Sequence, residues 1–153
     1  KMLVNFEKKV YARLDIFTKK NLQETIIIAS ILEKEVRTEK DMKLVAGILQ
    51  KRLEAGIALQ VDATLVYIKC SLLNRSNCRL IANGDKGIKS VYNTYLYPGL
   101  PAGPISNPGR AAIDAAFGPE TSPYLYYLSA RADGRTIFSR TLEEHNLNRS
   151  VYR

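Results

Sequence analysis

Thr25-Ile26-Ile27-Ile28-Ala29-Ser30-Ile31-Leu32-Glu33-Lys34-Glu35 is an apolar, helix-like run that ends in two carboxylates. A segment this apolar belongs in a core, where an ionised carboxylate costs several kcal/mol unless it is paired or keeps its proton. At about 100° per residue, Leu22, Ile26, Ile28, Ala29, Leu32 and Val36 spread over one broad face, with Ser30, Lys34 and Arg37 opposite. Both glutamates border the apolar face: Glu33 falls between Leu22 and Ile26, and Glu35 beside Ile28 and Ile31. A carboxyl that keeps its proton near neutral pH is a general acid. The plainer alternative is two rim glutamates satisfied by Lys34 or Arg37, and periodicity does not say which glutamate would be catalytic.

Upstream, Leu3, Phe6, Val10, Leu14 and Phe17 recur at helical spacing, which predicts an amphipathic helix closing near Lys19-Lys20-Asn21. Downstream, Thr38 with Asp41 three residues on resembles a capping box. Met42, Val45, Leu49 and Leu53 then line a second helix that Gly56 ends. In Ile57 to Thr64, the polar Gln60, Asp62 and Thr64 alternate. In an extended segment they share one face and form a candidate sugar-contacting rim, whereas Asp62 equally reads as the cap of a short helix over Ala63 to Cys70.

Residues Asn74 to Lys89 read as an exposed loop or weak hairpin. Pro98 to Gly109 holds four prolines and three glycines in twelve residues, which excludes a helix interior or a central strand and suits a rigid groove wall. Asn107 as cap and Pro108 in the first turn open a short alanine-rich helix through Phe117, stopped by Gly118-Pro119. Tyr124 to Ser129 and Thr136 to Ser139 around Asp133-Gly134 predict a hairpin. Thr141 with Glu144 opens a last helix carrying the only histidine, His145, read as a structural hydrogen-bonder. The pattern is an α+β fold, mainly helical with a small antiparallel β-hairpin.

A chain of 153 residues is long enough for one domain with a sizeable core, here 1–153. Lys and Arg exceed Asp and Glu by 23 to 15, which favours anionic partners. No dense basic block with interleaved aromatics marks a nucleic-acid partner. Cys70 and Cys78 lack the spacing of a metal or redox site; a short-loop disulfide and two thiols are both compatible with them. No run reaches membrane-span length and no signal peptide opens the chain. Lys1 is not an initiator methionine, so the chain reads as a fragment whose targeting segment lies upstream.

Five motifs in order, from about Leu22 to Asn148, carry a resemblance. They are Ala29 to Glu35, Leu59 to Thr64, Tyr92-Asn93-Thr94-Tyr95, Gly99 to Gly109, and Phe138 to Asn146. The chain resembles the YceG-like catalytic domain of the MltG family of endolytic murein (lytic) transglycosylases. It departs at Val61, where a hydroxyl residue is usual, at Ala63, usually proline, and at Ala102, where a second proline is common.

The resemblance implies a lysozyme-like catalytic domain that cleaves the β-1,4 bond from N-acetylmuramic acid to N-acetylglucosamine in peptidoglycan, leaving 1,6-anhydro ends. It implies Glu33 as the one catalytic acid and base, and no cofactor or metal. Gln60, Asp62, Thr64, Tyr92, Asn93, Thr94 and Tyr95 would contact the sugars, and Glu35 would brace the site. It further implies a single N-terminal membrane helix and a LysM-like region, both outside this sequence, with the domain on the extracytoplasmic (periplasmic) side of the cytoplasmic membrane. Glycan strands would be the partner, with cell-wall synthesis machinery as a possible second and no nucleic acid. A non-catalytic glycan-binding module, a hydrolytic lysozyme-like enzyme and, more distantly, a basic nucleic-acid-binding domain are the rival readings.

Overall fold

The run from Thr25 to Glu35 forms most of a helix, α1 (Lys19–Glu35), that is buried on nearly every side in the computed structural model, which describes residues 19–152. The amphipathic helix expected over Leu3 to Phe17 lies outside the described residues, and Lys19 to Asn21 form the first turn of α1. Ile27, Ala29, Ile31 and Leu32 are at most 4% exposed. Burying one such aliphatic side chain contributes about 1.5–3 kcal/mol.

Ser30 corrects the one-sided reading of this helix. It was placed on the outer face, yet it is fully buried because the proline-rich segment covers that side. Its Oγ donates to Ile27 O at 2.7 Å and accepts the Ile105 N–H at 3.0 Å, while Ser30 O accepts the Ser106 hydroxyl at 2.8 Å. A helical moment measures side-chain polarity and cannot see that a small hydroxyl will be matched by the backbone of a distant loop.

Thr38 caps α2 (Glu39–Glu54) as expected, its Oγ accepting the Asp41 N–H at 3.1 Å. Met42, Val45, Ile48 and Leu49 face the core, and Gly56, at φ +67°, supplies the left-handed exit. Next comes a short helix, α3 (Asp62–Tyr67), continued by a π-helical turn over Ile68–Leu72. The cap of α3 is Val61, with Asp62 its first residue, so the capping role considered for Asp62 is not seen.

Segment 74–89 is no hairpin. It is a looped wall with a 3-10 turn over Asn83–Gly87, closed by a Cys70–Cys78 disulfide and by a buried ion pair in which Lys69 Nζ reaches Asp85 at 2.6 Å. Lys69 also donates to Leu80 O. The proline-rich segment has no regular structure, in line with its composition. The helix after it, α4 (Arg110–Phe117), is capped by Gly109, two residues later than Asn107 was expected to act.

A two-stranded antiparallel sheet follows, β1 (Tyr126–Ser129) with β2 (Thr136–Ser139), in a register that pairs Tyr127 with Phe138 and Ser129 with Thr136. Its lead-in is held by α2: Lys51 donates to the carbonyls of Ser122 and Tyr124, and Arg52 to that of Leu125. Gly134 in the turn has φ +71°, and a Cβ there would run into the Arg37 guanidinium beyond the end of α1. The last helix, α5 (Leu142–Tyr152), packs on the hairpin through a 3.0 Å bond from Asn148 to Ser139 and a stack of His145 on Tyr126. The architecture is α+β, five α-helices and one small sheet among the described residues. No described helix is long and apolar enough to cross a membrane.

Candidate active site

The C-terminal end of α1 emerges between two adjoining clefts, and its two glutamates part there. Residues 33 and 35 are about 200° apart around a helix, so their carboxyls meet different partners although both border the smaller cleft. The larger cleft, about 820 Å³, is lined by Glu35, Gln60, Asp62, Tyr95, Tyr126 and Tyr127 among others. The smaller, about 620 Å³, is lined by Glu33 to Arg37 and by Ser129 to Gly134 of the hairpin. Lys34, Glu35, Ser129 and Arg131 border both, so the two read as one groove across the helix end.

Glu35 is half-buried and braced at both oxygens. Oε1 accepts the Ala63 N–H at 3.0 Å, from the first turn of α3, and Oε2 accepts the Tyr127 hydroxyl at 3.4 Å. Burial, reinforced by the nearby Glu35 charge, pushes the Tyr127 hydroxyl well above the usual tyrosine range, so it stays a donor to the carboxylate. Glu33 is exposed. Its Oε2 accepts the Gly109 N–H at 2.9 Å, just ahead of α4, and no described group bonds its Oε1. The dry apolar wall expected around Glu33 is therefore not present in the free protein: the buried run ends at Leu32, and Glu33 is exposed in the cleft it shares with the hairpin.

Of the seven residues read as sugar contacts, Gln60, Asp62 and Tyr95 line the larger cleft. The Tyr95 hydroxyl donates to Asp62 Oδ1 at 2.5 Å, so the ring and the carboxylate act as a unit. Gln60 is exposed at φ +54°, a backbone state uncommon outside glycine. Its N–H donates to Thr94 O at 2.9 Å, and Arg52 reaches its Oε1 at 3.4 Å.

Thr64, Asn93 and Thr94 need correcting, since each is at most 1% exposed. Thr94 Oγ accepts the Val61 N–H and lies 3.0 Å from Thr64 Oγ, while Asn93 donates to the carbonyls of Lys86 and Ile88 and accepts the Tyr95 N–H. These three stand behind the rim and hold Gln60 and Tyr95 in place. Thr64 moved to the interior because the segment is helical from Asp62, so the alternation of an extended strand does not apply. Tyr92 packs on Tyr67, ring centroids 4.9 Å apart, and on the core, away from the cleft.

Sequence reasoning missed Arg52, Tyr126 and Tyr127. Arg52 is 7% exposed, donates to Ala58 O at 2.8 Å and lies over the Tyr126 ring. Burial pulls its guanidinium below the usual arginine value, an effect the surrounding tyrosines oppose. The signal was present: Arg52 follows Leu49 by three residues, a cation on the apolar face of α2.

A model of the YceG-like family matches residues 1–150. An endolytic murein transglycosylase of Bacillus subtilis is 34% identical over 134 residues, which are 88% of this chain and 36% of the relative. One from Streptococcus pneumoniae is 30% identical over 149 residues, 96% of this chain and 27% of the relative. A crystal structure of a YceG-like protein from Listeria monocytogenes superposes with a TM-score of 0.74 at 35% identity, covering 95% of this chain and 44% of that one. The chain thus spans about a third of the length of the curated relatives it matches. The family model, the curated relatives and the solved structure agree, and the chain belongs to the YceG-like family.

Proposed function

We propose that this domain is a peptidoglycan lytic transglycosylase that cleaves the β-1,4 bond between N-acetylmuramic acid and N-acetylglucosamine inside glycan strands, with Glu33 as acid and then base. The name shared by the Bacillus and Streptococcus relatives supports the reaction class. The observation that carries the assignment of the residue is the contrast between the glutamates. Both oxygens of Glu35 are engaged within the protein, whereas Glu33 is oriented by one N–H and keeps Oε1 for a ligand. A proton-transfer group needs an oxygen that can reach the reacting atom.

In the proposed reaction, Glu33 in its protonated form gives its proton to the bridging oxygen. The C1–O bond breaks with its electron pair going to that oxygen, and positive charge builds at C1 of the muramic sugar. The 6-hydroxyl of the same sugar attacks C1, and its proton passes to the Glu33 carboxylate. One proton is given and one is recovered, and no water is consumed. A second catalytic carboxylate, needed by ordinary glycosidases, is unnecessary because the nucleophile is intramolecular, with an effective concentration on the order of 10⁵ M or more. The strand itself, laid over the exposed Glu33, would exclude the water that the free protein admits.

Gln60, Asp62 and Tyr95 would hold the sugars along the larger cleft. The Cys70–Cys78 disulfide supports an oxidising compartment, in keeping with a domain facing the cell wall outside the cytoplasmic membrane. The test is product analysis by mass spectrometry on purified glycan strands. E33Q should lower the rate of anhydro-end formation by about 10²–10⁴-fold with unchanged thermal stability, whereas E35Q should lower stability and keep measurable turnover. Reducing ends in place of anhydro ends would overturn the reaction type, and full activity of E33Q would overturn the residue.

A further inference from the structure

The loop closed by the Cys70–Cys78 disulfide carries apolar side chains outward. Every residue from Ser71 to Asn77 is exposed, and so are Arg79 and Leu80. Leu72 is 49% exposed, Leu73 44% and Leu80 73%. An unconstrained loop of this composition would fold its leucines back against the protein. Here the bridge, the left-handed Asn74 (φ +46°) and Asn77 (φ +48°), and backbone bonds from the Leu73 N–H to Ile68 O and from the Arg75 N–H to Lys69 O fix the turn. The outward leucines are therefore built into the loop.

The charge around these leucines has one sign. Asp85 is the only acid between Asp62 and Asp114, against Lys69, Arg75, Arg79, Lys86, Lys89 and Arg110. That acid is buried in its 2.6 Å ion pair with Lys69, while Arg75 lies 3.9 Å from it and stays exposed, as does Arg79. Leucines flanked by outward cations match a surface that is anionic on top and apolar just below. An anionic bilayer is such a surface: an inserted side chain reaches the acyl boundary while a guanidinium stays with the phosphates. A protein partner fits less well, because a stable protein interface covers about 800 Å² on each side, far more than three leucine side chains offer.

We propose that the disulfide-closed loop is a lipid-contacting tip, which inserts Leu72 and Leu73 into the headgroup boundary of an anionic bilayer and sets Arg75 and Arg79 against the lipid phosphates. Arg79 and Leu80 also line the larger cleft, so Leu72, Leu73 and Arg75 are the members that belong to the tip alone. Two leucines and two arginines make a weak, reversible contact. It requires no catalytic step and stands apart from the assignment of Glu33.

The chain contains no tryptophan, so L73W in the intact chain puts its only indole in the tip. On vesicles of phosphatidylcholine with about 30% phosphatidylglycerol, its emission should move to the blue and be quenched by lipids brominated near the headgroup end of the acyl chain. L147W on α5, which replaces a more exposed leucine, should show neither effect. In sedimentation with the same vesicles, L72S/L73S should lower affinity about tenfold and R75Q about fivefold. Pure phosphatidylcholine, or ~0.5 M salt, should remove most of the binding. No blue shift at L73W, or an equal shift at L147W, would overturn the inference. So would vesicle binding that L72S/L73S leaves unchanged, which is what a net charge of +8 alone would give. Self-association lost in L72S/L73S, with no vesicle binding by the parent chain, would assign the loop to a second copy and overturn the lipid contact as well.

Discussion

Ser30→Ala removes one oxygen from the centre of the molecule, and its consequence can be worked from the bonds that oxygen makes. The Oγ accepts the buried Ile105 N–H at 3.0 Å and returns its own proton to Ile27 O. The carbonyl of Ile27 keeps its helical role, but the Ile105 N–H is stranded between α1 and the proline-rich segment, where Ile105 is 6% exposed. An unsatisfied buried donor costs about 1–3 kcal/mol. Alanine's better helix propensity returns about 0.5 kcal/mol, and the lost oxygen is too small to leave a cavity of consequence. The net loss is therefore about 0.5–2.5 kcal/mol.

For a chain of this size that is a fall of roughly 1–10 °C in melting temperature. Urea unfolding should show a lower midpoint with an unchanged slope. Amide exchange should speed up first at Ile105 and then along the segment to Gly109, whose N–H orients Glu33. If the variant unfolds at the wild-type midpoint, or if the Ile105 amide exchanges no faster, the segment is not held by this bond and the core does not position Glu33 through it.

Gly47→Ala should be destabilising although it adds a better helix former. A Cβ there would sit inside contact distance of the Glu120 carbonyl oxygen, whose neighbouring N–H bonds Lys43 O, so overpacking of about 1–3 kcal/mol outweighs the propensity gain of about 1 kcal/mol. A raised melting temperature would contradict the close approach of that loop to α2. Asp85→Asn addresses pH. The Lys69 hydrogen bond, helped by the Ala82 N–H, holds the Asp85 carboxyl below the ordinary aspartate value, so its stabilisation is present above that value and is lost as pH falls through the folded-state one. The variant should unfold at lower urea than wild type at pH 7, and the difference should narrow below about pH 4; an equal difference at both would refute the linkage.

The local elements were legible because their signals are local. The Thr38 cap, the hairpin around Asp133-Gly134, the second helix and the irregular proline-rich segment each follow from residues a few positions apart, and the structure repeats them. Residue identity also narrowed the candidate acid to two glutamates and put Gln60 and Asp62 on a candidate rim, whereas Tyr95 entered only through the family resemblance.

What required the tertiary structure was everything decided by distant partners. Only the packed loop shows that Ser30 is inside, that Thr64, Asn93 and Thr94 stand behind the rim, and that Glu35 is satisfied by α3 and Tyr127 while Glu33 is open. That Arg79, Arg131 and Arg149 line one cleft is likewise invisible in the linear chain. Burial and hydrogen-bond pairing are properties of what comes near a residue in space. A linear pattern can say that a polar group will need a partner, but only the folded chain says whether that partner is the protein itself or is left for a ligand to supply.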